Sequence, residues 1–163
     1  MIIKYLPVFV ILSVLLVSCG PSTEKAIEYN DALVAEHAAV TENIQMLFQD
    51  ISGFNMTRID EDYNNTKESI KISTGHIEDL GDFYGDDSYK NAFIEYMDHA
   101  GKMIDNEVKQ VIDILKLGDK ITAVDEEKLN QLTDKIYNKE KEANKNLELK
   151  QAEFSEKYEF DLK

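Results

Sequence analysis

The sequence predicts an all-α protein, an antiparallel four-helix bundle in up-down-up-down order that follows an apolar N-terminal segment. Three observations lead there. Both prolines, Pro7 and Pro21, lie near the start, so nothing after residue 21 forbids a long helix. Apolar residues after Thr23 recur in steps of three and four, the spacing of one helix face, and not in the alternation of a half-buried strand. Breaks fall at Ser52-Gly53, in 81–88 and at Gly118-Asp119, dividing the run into amphipathic segments joined by short connections.

In the first segment Ile27, Leu33, Val40, Ile44, Leu47, Ile51 and Phe54 form a heptad seam, with Ser22 or Thr23 as N-cap and Glu24 in the first turn. A second helix starts near Thr57, which with Asp60 resembles a capping box. Its seam is Ile59, Tyr63, Thr66, Ile70, Ser73, Ile77 and Leu80. The third helix opens at Asp87 or Ser88 and carries Tyr89, Phe93, Tyr96, Ala100, Met103, Val111 and Ile114. Asp125 is expected to cap the fourth, with Glu126 and Glu127 at the positive end of its dipole. Leu129, Leu132, Ile136, Ala143, Leu147 and Phe154 give its seam as far as about Tyr158, across a polar stretch at 138–145 where only Ala143 faces inward.

Ahead of the bundle, Lys4 is followed by an apolar run over 5–17, broken only by Pro7 and Ser13. A lone cation before a short apolar core is the pattern of a cleavable export signal. The run is shorter than the roughly 20 residues a spanning helix needs. It ends Leu16-Val17-Ser18-Cys19, which resembles the bacterial lipobox: an aliphatic residue, a tolerant position, a small residue and a cysteine. The resemblance implies cleavage between Ser18 and Cys19 and a lipid on Cys19. Cys19 is the only cysteine, so no internal disulfide can form. The expected organisation is a signal peptide at 1–18, the lipidated cysteine and tether at 19–23, and the bundle at 24–163. With ~0.8 kcal/mol for each buried methylene, two or three acyl chains anchor a protein that spans nothing. A tether ending at Ser22 or Thr23 keeps the bundle within about 10–15 Å of the bilayer.

Gly20 stands where inner-membrane lipoproteins of enterobacteria often carry aspartate, and by that resemblance the outer membrane is favoured. A composition rich in Ile, Lys, Asn, Asp and Tyr and devoid of Trp resembles Bacteroidota proteins. Surface lipoproteins of that group often bear an acidic stretch after the cysteine, but residues 20–25 hold only Glu24, which leaves the periplasmic and surface sides both open.

The formal net charge is -14, and removal of residues 1–18 takes away one lysine and no acid. Such acidity argues against nucleic acid and against electrostatic adhesion to anionic lipid. No Gly-x-Ser-x-Gly elbow, phosphate loop or Cys-x-x-Cys-His site is present, so neither an enzyme nor a covalently held haem is expected.

The chain's three histidines are His37, His76 and His99. Glu95 precedes His99 by four residues, not the three of the di-iron bundle motif. A haem held by His and Met would draw on Met46, Met56, Met97 or Met103, and nothing selects one. No metal or cofactor is expected. Asn30 and His37 share the first seam, and Thr66 and Ser73 could face them from the second. As structure such a polar cluster would fix register; as function it would line a small cavity. Asp82, Asp86 and Asp87 form an acidic loop without EF-hand spacing. Phe83 and Tyr84 beside them are expected to cap the bundle's end.

Glu28-Tyr29-Asn30-Asp31-Ala32-Leu33 resembles the opening of uncharacterised surface lipoproteins of spirochaetes and Bacteroidota that carry a Tyr-Asn motif on their first helix. The resemblance implies an all-helical lipoprotein and transfers no catalytic residue. The expected role is therefore a non-enzymatic structural or interaction one in the cell envelope. The expected partners are the membrane, through the lipid on Cys19, and an envelope or host protein. The alternative is a bundle that holds a small ligand, metal or haem around His37.

Overall fold

The computed structural model describes residues 20–162, so Ser18 and Cys19 lie outside the described residues. The protein is an all-α four-helix bundle, with no strand among the described residues. Helix α1 spans Thr23–Ser52, α2 Ile59–Asp79, α3 Ser88–Met103, α4 Lys109–Leu115 and α5 Ala123–Lys157. A five-residue π-helical turn, Ile104–Val108, joins α3 to α4, so these three pieces make one leg of the bundle. No described helix is long and apolar enough to cross a membrane.

The seams expected from spacing form the core. Leu33, Val40, Ile44, Leu47, Ile59, Ile70, Ile77, Phe93, Met103, Leu147 and Phe154 are all buried. Polar contacts between legs pair in opposite order along the chain. Asp60 meets Lys116 while Lys67 meets Asp105. Asp86 meets Lys157, Glu95 meets Asn146 and Glu107 meets Lys139. The start of α1, the 81–87 loop and the end of α5 thus share one end of the bundle. The 53–58 corner and the 116–122 connection share the other, about 45 Å away along the 30-residue α1.

The ends of the helices depart from expectation in three places. Ser22 caps α1 as expected, its Oγ accepting from Lys25 N–H at 3.3 Å. At the other end, the left-handed residue that closes α1 is Phe54, with φ +53°, and not Gly53. Asn55 N–H donates to Asp50 O at 2.9 Å and Phe54 N–H to Ile51 O at 3.2 Å, a Schellman-type closure. The reversal swings Phe54 off the seam, and it is 68% exposed. The Thr57–Asp60 capping box does not form: Thr57 Oγ1 donates to Asn55 Oδ1 at 2.9 Å, and α2 starts at Ile59 without a side-chain cap. Its first turn relies on Asp60, Glu61 and Asp62 against the dipole. Helix α5 is capped by Thr122, not by Asp125. Asp125 supplies the return bond, its Oδ2 accepting from Thr122 N–H at 3.0 Å while Asp125 N–H donates to Thr122 Oγ1 at 3.3 Å. Two seam ends also shift: Leu80 is exposed and Ile27 half-buried, with Ala26 taking the inner place.

Candidate functional site

The residues of the expected polar cluster are inside or at the edge of the bundle, but no hydrogen bond joins them to one another. Asn30 is 7% exposed, and its Oδ1 accepts from Tyr89 Oη at 2.8 Å and from Gln151 Nε2 at 3.0 Å. One side chain of α1 thereby ties α3 to α5. Thr66 Oγ1 donates to Asp62 O at 2.7 Å, one turn back on its own helix, with Asn43 O of α1 at 3.2 Å. Ser73 is buried. His37 is half-buried and meets the Tyr96 ring edge-on, with centroids 4.5 Å apart. Burial pushes its pKa below the ordinary imidazole value, so the ring is neutral at pH 7.

The other two histidines stand apart from it. His76 on α2 is exposed and lies 3.0 Å from Glu36 Oε1, and His99 on α3 is exposed. Among the described residues, no three His, Cys, Asp or Glu side chains stand together as a metal site.

The acidic loop serves its own backbone. Asp82 Oδ1 accepts from Gly85 N–H at 2.6 Å, and Asp86 Oδ1 from Ser88 N–H at 3.0 Å. Asp86 Oδ2 pairs with Lys157 Nζ at 2.5 Å. That lysine, with Ser88, holds the Asp86 carboxyl down at about 2. Phe83 N–H and O bond back to Asp86 around Tyr84 and Gly85, whose φ values are +55° and +85°. This is the two-residue turn that requires both central residues left-handed. It buries Phe83 to 4% exposure against Tyr29, Phe154 and Tyr158, with centroids 5.0, 5.3 and 4.9 Å away. Phe83 therefore caps the bundle end as expected, while Tyr84 is exposed and accepts from Lys25 Nζ at 2.8 Å.

The Tyr29-Asn30 pair belongs to this end. Tyr29 Oη donates to Gly81 O at 2.8 Å, pinning the loop to α1. Burial, aided by Asp82, Asp86 and Asp87, pushes the Tyr29 hydroxyl up to about 12, so it stays a donor.

Two buried acid groups escape a reading by seams. Glu107, in the π turn, is 2% exposed, with Lys135 Nζ 2.6 Å from Oε1 and Lys139 Nζ 2.8 Å from Oε2. Burial alone would raise its pKa, yet hydrogen bonds from the two lysines hold it below the ordinary carboxyl value. At the 53–58 corner, Asp50 Oδ2 and Asp62 Oδ2 are buried with no hydrogen-bond donor. Arg58 stands over both, at 3.4 Å and 3.7 Å. The two carboxyls bear on each other as one shared proton would make them: Asp62 is raised by its bond to Asp50, and Asp50 is lowered by its bond to Asp62.

One side of the bundle is open. Helix α1 packs on α2, α2 on α3 and α3 on α5, while α1 and α5 meet at few points. Between them, towards the far end, lies a cavity of about 240 Å³ lined by Phe48, Ile51, Val108, Val111, Ile136 and Tyr137. It narrows beside Tyr96 and Ala100, and Glu140 lines both parts. His37 Nε2 and Thr41 Oγ1 are buried without a hydrogen-bond partner. Comparison with known proteins adds nothing to this geometry: no protein-family model, curated protein or solved structure matches the chain.

Proposed function

We propose that this chain is a lipid-anchored protein of the bacterial envelope, outer-membrane in placement, whose acidic bundle has a non-enzymatic structural or interaction role. The lipobox-like Leu16-Val17-Ser18-Cys19 supports the anchor. The observation that carries the reading is the join between anchor and bundle. Helix α1 starts at Thr23, so Gly20, Pro21 and Ser22 are the whole leash. The same end is clamped by Tyr29 on Gly81, Lys25 on Tyr84 and the Phe83 plug. A lipid on Cys19 would then orient the entire bundle and not merely retain it. The aromatic end would face the bilayer and the 53–58 corner would stand about 45 Å further out, a distance set by 30 residues of helix.

The test is metabolic labelling with a clickable fatty acid, followed by fractionation. Label on the wild type, and its loss with release to the soluble fraction in Cys19→Ser, is the expected result. Unlabelled wild-type protein, or a Cys19→Ser variant still held in the membrane, would overturn the anchor. Protease shaving of intact cells then separates surface from periplasmic display. A second reading, a small ligand inside the bundle, is favoured by the buried His37 Nε2 and Thr41 Oγ1 atoms, which have no hydrogen-bond partner.

A further inference from the structure

The end of the bundle that holds the 81–87 loop carries apolar groups that its own core does not cover. Tyr84 stands at the tip of the turn, 57% exposed. Its φ of +55° belongs to a position where asparagine or glycine is the usual residue, so the ring sits on a strained backbone that little packing offsets. Leu80 at the end of α2 and Leu162 in the tail after α5 are exposed as well. Phe83, Phe154 and Tyr158 pack ring on ring behind the turn and brace it.

Exposure and strain by themselves select nothing, since Phe54 has both at the other end of the bundle. Tyr84 differs in its place. Lys25 Nζ, from the first turn of α1, donates to Tyr84 Oη at 2.8 Å and lies 5.5 Å from the centre of its ring. Only Gly20, Pro21 and Ser22 stand between Cys19 and α1. A leash of that length reaches about 10–15 Å when extended, so a lipid on Cys19 holds the Tyr84 tip against the headgroups.

We infer that Tyr84, with Leu80 and Leu162 beside it, is a second point of attachment that inserts at headgroup depth into the bilayer holding the lipid of Cys19. The inference rests on the anchor proposed above and adds the protein surface that the bilayer meets. Tyrosine suits that depth, with an apolar ring below and a hydroxyl that stays among polar groups, and the Lys25 stem can lie along the ring while its amine stays wet. Charge defines the partner. Glu24, Asp87, Glu159 and Asp161 are exposed at the same end, while Lys25 and Lys157 are engaged by Tyr84 and Asp86. Such a tip is repelled by anionic lipid, so its partner is a zwitterionic surface. A lipid alone lets a bundle swivel; a second contact fixes its tilt and stands the 53–58 corner away from the membrane.

The chain has no tryptophan, so Tyr84→Trp and Phe54→Trp each place a single reporter, one at either end. Each lipidated protein is reconstituted into phosphatidylcholine vesicles whose lipid is partly brominated high on the acyl chain, and the vesicles are floated. The Tyr84→Trp emission should shift to the blue and be quenched by bromine, and the Phe54→Trp emission should do neither. Phosphatidylglycerol added at low salt should reduce the quenching. In the protein without either substitution, amide exchange across 81–87 should be slower on vesicles than in soluble Cys19→Ser, with 53–58 unchanged. Protein that fails to float overturns the anchor, and this contact with it. Floating protein whose Tyr84→Trp reporter is unquenched, or whose 81–87 amides exchange as in Cys19→Ser, overturns the contact alone. So does equal quenching of both reporters, because the bundle would then lie flat, and so does quenching that grows with phosphatidylglycerol, because the partner would then be anionic.

Discussion

Glu107 Oε2 lies 2.8 Å from Lys139 Nζ across the seam between the π turn and α5, and this pair crosses the stretch of α5 that is poorest in apolar residues. The carboxylate is buried while both its lysines reach solvent, so the desolvation cost falls on Glu107 alone. Leaving a buried charge without a partner costs roughly 3–5 kcal/mol, whereas replacing it with an apolar side chain of similar size can be close to neutral. Lys135→Met with Lys139→Met should therefore destabilise the bundle by about 3 kcal/mol. Glu107→Leu should cost much less, and either lysine replaced singly should fall between. Urea denaturation followed at 222 nm ranks the variants. A Glu107→Leu protein as unstable as the double lysine variant would show that the pair itself, not the stranded charge, carries the energy.

Asn30 gives a second network whose parts can be separated. Its Oδ1 is the shared acceptor for Tyr89 and Gln151, and both donors are stranded if it is removed. Asn30→Leu should cost about 1–3 kcal/mol, the penalty for unmade bonds at a buried site. Adding Tyr89→Phe removes one stranded hydroxyl, and the double variant should recover part of that loss. A double-mutant cycle with no coupling would mean that water replaces Asn30 as the acceptor.

Most of the core was legible because periodicity alone marks a helix face: Leu33, Val40, Phe93 and Leu147 sit where steps of three and four put them. Phe83 as an end cap was legible from two aromatics in a glycine-bearing loop. Glu107 was not, because a π turn inserts its extra residue without any sequence mark of its own. The available signal was a carboxylate four residues after Met103 and four before Val111, on an otherwise apolar seam. The groove was hidden for another reason. Seam spacing says which face of each helix turns inward, but not that α1 and α5, joined at Asn30 and Gln151, part towards Phe48 and Tyr137. Two members of the expected cluster found other partners: backbone for Thr66, and Tyr89 with Gln151 for Asn30.

Phe54 offers a stabilising change. It holds φ +53° with its side chain 68% exposed, so the conformation is strained and little packing offsets it. A left-handed residue with a Cβ costs roughly 1–2 kcal/mol, and glycine at this position of a Schellman closure removes that strain while gaining freedom in the unfolded chain. Phe54→Gly should raise stability by about 0.5–1 kcal/mol, and Phe54→Ala should not. A thermal melt that places Phe54→Gly below wild type would show that the exposed ring makes contacts worth more than the strain.

Asp62, paired with Asp50, makes a pH prediction opposite in sign to that of the other shifted carboxylates. Asp86, Asp105 and Glu107 have pKa values lowered in the fold, so each adds stability that is present above its unfolded value and fades as pH falls. Asp62 is raised, chiefly by its bond to Asp50 and then by burial, with Glu61 adding to the repulsion and Arg58 opposing it. Its share of stability is therefore complete below the unfolded carboxyl value, near 3.9, and lost as pH climbs through the folded one. Asp50, lowered by the same bond, behaves like the other acids. Asp62→Asn supplies the donor permanently and removes the titration, leaving Arg58 to pair with Asp50. The variant should match wild type near pH 4 and exceed it at pH 7 to 8. Urea midpoints across that range measure the gap. A gap that stays constant with pH, or one that widens towards acid, would mean that the two carboxyls do not share a proton.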